Sequence, residues 1–418
     1  MNEILSFWAQ WLRPSAGLPT VQWSLLLAVA AIAGYLCQRH TGLPKVVGYS
    51  LVGTAAGLAG FSGAVWPLQG IGLFLLELGI SIVLFECGGR IPLRWFRHNP
   101  MVLVQSMAES ALTYFAVYWV LVWLDMPAHV AGPLALVALA ASPAVLTRVV
   151  ADTRAAGPVT ERAIVLATLS TLYALTLGSA RAEQINRQSV TLLDTMYPVV
   201  VVLGVSIIVA AVLSLALRMA LRFMSPTSEN TSMLLLALIA AATAVAAHMG
   251  GSAPLAALLG GMLLKQLNPR PWAWPRQLGN ASSLLTMLMF VLVSTVAAQA
   301  DWSGPVAGVV LALIAVRLVA KAVGVGLGNV GSGASWRQAL WVGCAMTPMS
   351  SIALLIASQF VVASPSTGHL IARVALPAIL LMEVLGAVIA TVAIYRAGES
   401  SKPWAPLSRG GNGDRSES

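Results

Sequence analysis

The stretch ALAASPAVLTRVV fills residues 138–150, and VGCAMTPMSSIALL fills residues 342–355. Both read as buried helix, yet each carries a proline, Pro143 and Pro348. Proline removes a backbone donor and clashes with the preceding turn. In hydrocarbon that damage is tolerated only where protein or a watery cavity takes over the freed groups. Two such breaks in one chain imply a structure that uses them.

The rest of the chain places both breaks in a membrane. Hydrophobic residues fill 58% of 418 positions and charged residues 9%, against roughly one quarter charged in soluble domains. A soluble fold could not cover so much apolar surface. About thirteen segments are long enough to cross a bilayer, at 21–38, 45–61, 67–88, 100–124, 127–150, 158–180, 190–219, 229–248, 251–266, 280–299, 303–328, 335–362 and 367–395. The fold class is an all-α polytopic membrane protein. Residues 1–20, with Trp8 and Trp11, read as an interfacial lead-in. No cleavable signal is expected, since Glu3 stands where a basic run would precede an apolar core. The tail from about residue 397 reads as disordered.

A net charge of +9 raises the question of nucleic acid, but the basic residues are scattered through short loops, and no nucleic-acid partner is expected. Membrane topology explains them better. Arg13, Arg181 and Arg187 fall on one side, nearly all other Lys and Arg on the opposite one, with Arg317, Lys321 and Arg373 within or at the start of segments. Basic loops collect in the cytoplasm. The N-terminus is therefore expected outside and the C-terminus inside, in the inner membrane of the cell. Cys37, Cys87 and Cys344 show neither metal-ligand nor disulfide spacing. No metal beyond a transported alkali ion and no cofactor is expected.

The prolines also reveal a repeat. Pro100 and Pro305 each open a segment, 205 positions apart, and Pro143 and Pro348 keep the same offset. Pro158 and Pro365 differ by 207, Pro44 and Pro254 by 210. Segments two, four, five and six thus correspond to nine, eleven, twelve and thirteen. A shift of seven spans is odd, so the second set lies upside down. Repeat one covers about 21–182, a linker helix about 190–219, and repeat two about 229–396. Interrupted helices at matching places of inverted repeats point to a secondary transporter's binding site. Half-helix ends of opposite polarity then meet near the midplane.

Several motifs resemble the second branch of the monovalent cation:proton antiporter superfamily, the sodium/hydrogen exchangers. GLPKVVGYSLVGTAAG (42–57) is similar to its early Gly-x-Pro…Gly-Tyr…Gly pattern, and LELGISIVLFECGG (76–89) to its Glu-Leu-Gly…Leu-Phe…Gly segment. ASPAV (141–145) stands where that family has Ser-Ser-Thr-Ala-Val, and residues 316–358 resemble its basic helix and second broken helix. The resemblance spans most of residues 20–395. It implies a homodimer whose six-helix core slides against a dimerisation domain and exchanges Na⁺ or K⁺ for H⁺.

The departures carry information too. The family places an Asp in the sixth segment, but ERAIVLATLSTLYALTLGSA (161–180) has no membrane-embedded carboxylate. Thr171 and Leu172, or Ser170 and Thr171, stand in its place. The third segment ends in Gly88, Gly89 and Arg90 instead of Gly-Leu-Glu, and Glu86 with Arg90 reads as a helix-surface pair one turn apart. Glu77 matches a family position outside the core.

Ionisable groups inside a bilayer are costly and functional by default. Here they are Glu109, Arg317, Lys321 and Glu383. Arginine stays charged at any working pH, whereas a buried lysine can titrate. The expected arrangement pairs Arg317 with Glu109 or Glu383 and leaves Lys321 or the second glutamate to exchange protons. An equally open reading makes all four structural ion pairs. Ser142, Ser170, Thr171 and Thr347 supply neutral oxygens suited to a dehydrated alkali ion, or to binding helices together. His40, His98, His129, His248 and His369 form no cluster. Two further readings stay open: a carrier of a small anion or neutral organic solute, drawn by Arg317 and Lys321, and a non-transporting paralogue. No nucleophile–base pair suggests an enzyme.

Overall fold

The computed structural model describes residues 19–61, 66, 70–91, 93–185, 192–225, 228–268, 276–300, 302 and 304–402. Trp8 and Trp11 of the expected lead-in, and the chain beyond 402, lie outside them. Among the described residues every regular element is a helix.

The first half contains α1 (Pro19–Thr41), α2 (Lys45–Leu58), α3 (Gly70–Gly89), the short α4 (Leu93–His98) and α5 (Pro100–Trp123). A broken helix follows, α6 (Ala128–Leu139) and α7 (Pro143–Thr153), then α8 (Pro158–Ile185) and α9 (Leu192–Phe223). The second half runs α10 (Glu229–His248), α11 (Ala253–Leu267), α12 (Arg276–Ala297) and α13 (Gly304–Leu327). The second broken helix is α14 (Trp336–Ala345) with α15 (Ser351–Ala363), and α16 (Pro365–Ala397) closes the bundle. With each broken helix taken as one span and α4 set aside, the helices follow the order of the thirteen segments read above.

Seven stretches, among them the broken Ala128–Thr153, are long and apolar enough to cross a membrane by length and composition alone. The shortfall lies partly in the repeat. α2 and α11 have 14 and 15 residues, about 21–23 Å of helix, less than the ~30 Å hydrocarbon layer. They are the pair begun by Pro44 and Pro254, so even their shortness recurs. Pro100, Pro158, Pro305 and Pro365 sit in first turns, where no backbone donor is needed.

Much of the packing joins the two halves. α5 lies along α13, α3 along α11, α2 along α12, and α15 along α16. α6, α7, α8 and α15 are mostly buried. α9 instead turns Ile208, Val212 and Met219 outward, an apolar face suited to lipid.

One boundary differs from expectation. Gly398 ends α16 in the left-handed region at φ 77°, and the following residues are tied down. Glu399 accepts from Val159 N at 2.8 Å, from Thr160 N at 2.7 Å and from Thr160 Oγ1 at 2.6 Å. A carboxylate here satisfies the orphan donors that open α8. Lys402 Nζ donates to Asp152 O at 2.6 Å. The chain stays ordered through Lys402, where disorder was expected from about 397.

Candidate functional site

Each break exists because a proline cannot bond the carbonyl four residues before it. For Pro143 that carbonyl is Leu139 O. It is recovered by Ser170 Oγ from α8 at 2.9 Å and approached by Lys321 Nζ at 3.3 Å. For Pro348 it is Cys344 O, recovered locally by Thr347 Oγ1 at 2.9 Å. The first repair reaches across helices; the second stays within its own turn.

Four further carbonyls at the breaks converge on one side chain. Arg317 on α13 donates from Nε to Ala138 O at 2.7 Å and from Nη2 to Ala140 O at 2.8 Å, both at the first break. It donates from Nη1 to Thr347 O at 2.5 Å and from Nη2 to Pro348 O at 3.4 Å, both at the second. It is fully buried. The negative ends of the broken helices, where a bare cation would be caged, are already held by a guanidinium.

Lys321 stands one turn further along α13, on the same face. Its Nζ lies 2.5 Å from Glu109 Oε1 of α5, and both side chains are fully buried. Gly324 makes the approach possible, because a side-chain carbon there would run into the Glu109 backbone. Ser110 Oγ donates to Glu109 Oε2 at 3.1 Å and Thr113 Oγ1 to Oε1 at 3.3 Å. A mostly apolar cavity of ≈700 Å³ between α5, α6, α8 and α9 reaches Ser110, Leu139, Tyr173 and Thr176, next to this pair.

The expected pairing of Arg317 with a glutamate is thus corrected. Lys321 holds Glu109, and Arg317 bonds carbonyls only. The reason is register: with Gly324 against Glu109, the glutamate lies level with Lys321 and one turn beyond Arg317. Glu383 on α16 stands apart. It is fully buried and accepts from Ser294 Oγ at 2.8 Å and Ser350 Oγ at 3.0 Å.

The four neutral-oxygen candidates are differently employed. Ser142 Oγ caps α7 by accepting from Val145 N at 3.4 Å. Thr171 Oγ1 donates to Ala141 O at 3.2 Å and Ala167 O at 2.8 Å. Thr347 serves its own turn. Ser170 alone of the four faces the charged pair, 3.5 Å from Lys321 Nζ. Glu86 and Arg90 form the surface pair expected of them, at 2.6 Å. Glu77 lies on α3, outside the broken helices. The five histidines stand at or near helix ends. Among the described residues no group of His, Cys, Asp and Glu could hold a metal, and the three cysteines are free.

Sequence reasoning missed Ser50, Ser294 and Ser350 around Glu383. Ser350 was recoverable, since it follows the Pro348 break directly. Ser50 and Ser294 lie in separate helices with no shared motif.

A helical membrane bundle with two interrupted helices meeting over buried charge defines a secondary transporter. The transmembrane sodium/hydrogen exchanger model matches residues 27–396, and the chain belongs to that family. The fold is similar to that of the sodium proton antiporter MjNhaP1 from Methanocaldococcus jannaschii at pH 8, with 14% identity and a TM-score of 0.68 over 91% of this chain and 98% of that one. An electron-microscopy structure of the same antiporter gives 15% identity and a TM-score of 0.72 over 93% and 100%. No curated protein matches the chain.

Proposed function

We propose that this membrane protein exchanges a monovalent cation, Na⁺ or K⁺, for H⁺ by alternating access, with Glu109 and Lys321 as the exchanging pair. The observation that carries this reading is the fully buried Lys321–Glu109 pair beside both breaks and next to the cavity. A cation that reaches Glu109 through the cavity competes with the ammonium for its carboxylate. An ammonium displaced from its partner, one turn from a permanent guanidinium, gives up a proton. One cation is bound, one proton leaves, and Lys321 remains as a neutral amine. Reprotonation restores the pair and expels the cation on the other side.

Arg317 fixes the two breaks to one another and keeps its charge throughout. An anion carrier would need that guanidinium free, whereas four of its hydrogen bonds go to protein carbonyls. We further infer a homodimer, as the resemblance to the exchanger family implies, and an inner-membrane protein with its N-terminus outside, an orientation supported by the bias of Lys and Arg between loops.

The test is a proteoliposome carrying an imposed pH gradient. Adding Na⁺, K⁺ or Li⁺ is expected to dissipate it, and Glu109→Gln or Lys321→Gln to abolish the response. Indifference to all three ions, with uptake of an organic anion by the unaltered chain, points to the anion carrier. Silence in both assays leaves the non-transporting paralogue.

A further inference from the structure

We propose that Glu383, with Ser50, Ser294 and Ser350, forms a second binding site, for a small alkali cation such as Na⁺ or Li⁺, which a proton occupies when the cation is absent. This deepens the antiporter reading and rests on it for its role, but the site is separate from the Glu109–Lys321 pair.

The four residues come from four places: α2, α12, the second break and α16. All are buried. Glu109 has an ammonium beside it, whereas Glu383 is surrounded by hydroxyls, and among the described residues no Lys, Arg or His pairs with it. A bare carboxylate cannot stay uncompensated in such a place. Two species can neutralise it with equal charge: a proton on the carboxyl, or a monovalent cation beside it.

The hydroxyls are placed for either state. Ser294 and Ser350 donate to opposite oxygens of the carboxylate. Ser50 Oγ faces the same carboxylate, is buried, and makes no hydrogen bond of its own. Each hydroxyl oxygen keeps acceptor lone pairs, so three hydroxyls and a carboxylate offer oxygen ligands of the kind that replace an alkali ion's water. The oxygens lie at hydrogen-bond separation, so a small ion fits with the least spreading. Ser350 gives the clearest sign. It precedes α15 as the N-cap residue yet makes no cap bond, and its hydroxyl turns to Glu383 instead.

The site also touches the crossing. Gly386, three residues after Glu383 on the same face, lies so close to the Pro348 backbone that no side-chain carbon fits. Pro348 O in turn accepts from Arg317. A cation entering at Glu383 releases the carboxyl proton to solvent and leaves the charge of the site unchanged, so this step is an electroneutral one-for-one exchange.

The experiment uses the purified full chain in detergent. Thermal unfolding is followed in NaCl, LiCl, KCl and choline chloride at equal ionic strength, and proton release is read with a pH indicator in weak buffer on adding NaCl. The expected result is a rise in Tm with Na⁺ and Li⁺ over choline, with protons released. Glu383→Gln should diminish the Tm rise and lose at least one proton, while Glu86→Gln, a carboxylate of the surface pair outside both sites, keeps both. Ser350→Ala and Ser294→Ala, which leave the carboxylate in place, should weaken Na⁺ affinity severalfold; they decide the matter if Glu383→Gln does not fold. An unchanged Na⁺ response in Glu383→Gln, or in both serine variants, overturns the proposal. So does a response that Glu86→Gln also abolishes. Failure of the antiporter reading appears elsewhere, as Na⁺ binding by a chain that dissipates no gradient in liposomes.

Discussion

The two broken helices begin from equivalent prolines, Pro143 and Pro348, and diverge from there. In the first, three residues separate α6 from α7, and hydroxyls of its own half serve the backbone there: Ser142 caps α7, while Ser170 and Thr171 hold the carbonyls of Leu139 and Ala141. In the second, five residues separate α14 from α15, Ser350 leaves its helix uncapped at φ −155° and ψ −129°, and its hydroxyl reaches into α16. The hydroxyls that serve the first break all bond backbone, whereas one at the second is fastened to a carboxylate. A symmetric scaffold has placed its spare acid on one side only, and the side without it is the sixth segment, where the family carries its Asp.

That contrast can be attacked directly, and the largest effect is expected where the breaks are joined. Arg317→Ala removes the donor for carbonyls on both, at about 1–3 kcal/mol for each carbonyl left unmade. A collapse of Tm or of folded yield is expected, and Arg317→Lys should rescue little, since a compact ammonium cannot span four acceptors. Next comes the pair. Lys321→Met or Glu109→Gln alone strands a buried partner and should destabilise by about 3–5 kcal/mol, whereas the double variant, which removes both charges, should be milder than either. A double variant worse than both singles would show that the pair is not the unit described.

Gly386→Val is the third test, because it forces side-chain carbons against the backbone of the second break. Overpacking of this kind costs about 1–3 kcal/mol, and the equivalent insult has no target at the first break. The smallest effect separates the two serines. Ser142→Ala should lose a long cap bond, about 0.5–1 kcal/mol, with no change in cation response. Ser350→Ala should leave helix stability nearly unchanged and alter the cation response instead. Equal behaviour of the two variants in urea unfolding and in Na⁺-dependent Tm would erase the asymmetry.

The order of the helices and both interruptions were legible in the sequence, because proline and apolar length are local signals read one segment at a time. The partners were not. Arg317 was expected to pair with Glu109 or Glu383, since all three are charges inside membrane segments. Lys321 won because register between α5 and α13 is set by contact at Gly324, and nothing in one strand of text reveals which turn faces which. Glu383 was visible as a charge out of place, but its surroundings were not, since Ser50 and Ser294 come from distant helices and resemble ordinary serines of membrane spans. The missing acid of the sixth segment was plain, and Ser170, one of the residues standing in its place, lies 3.5 Å from Lys321 Nζ.

The knot at Glu399 has a practical side. Because its carboxylate closes the opening turn of α8, and Lys402 reaches Asp152 just ahead of it, the last and sixth spans leave the bilayer stitched together. A reporter fused after residue 402 leaves that stitch whole, whereas a stop codon at 399 removes it.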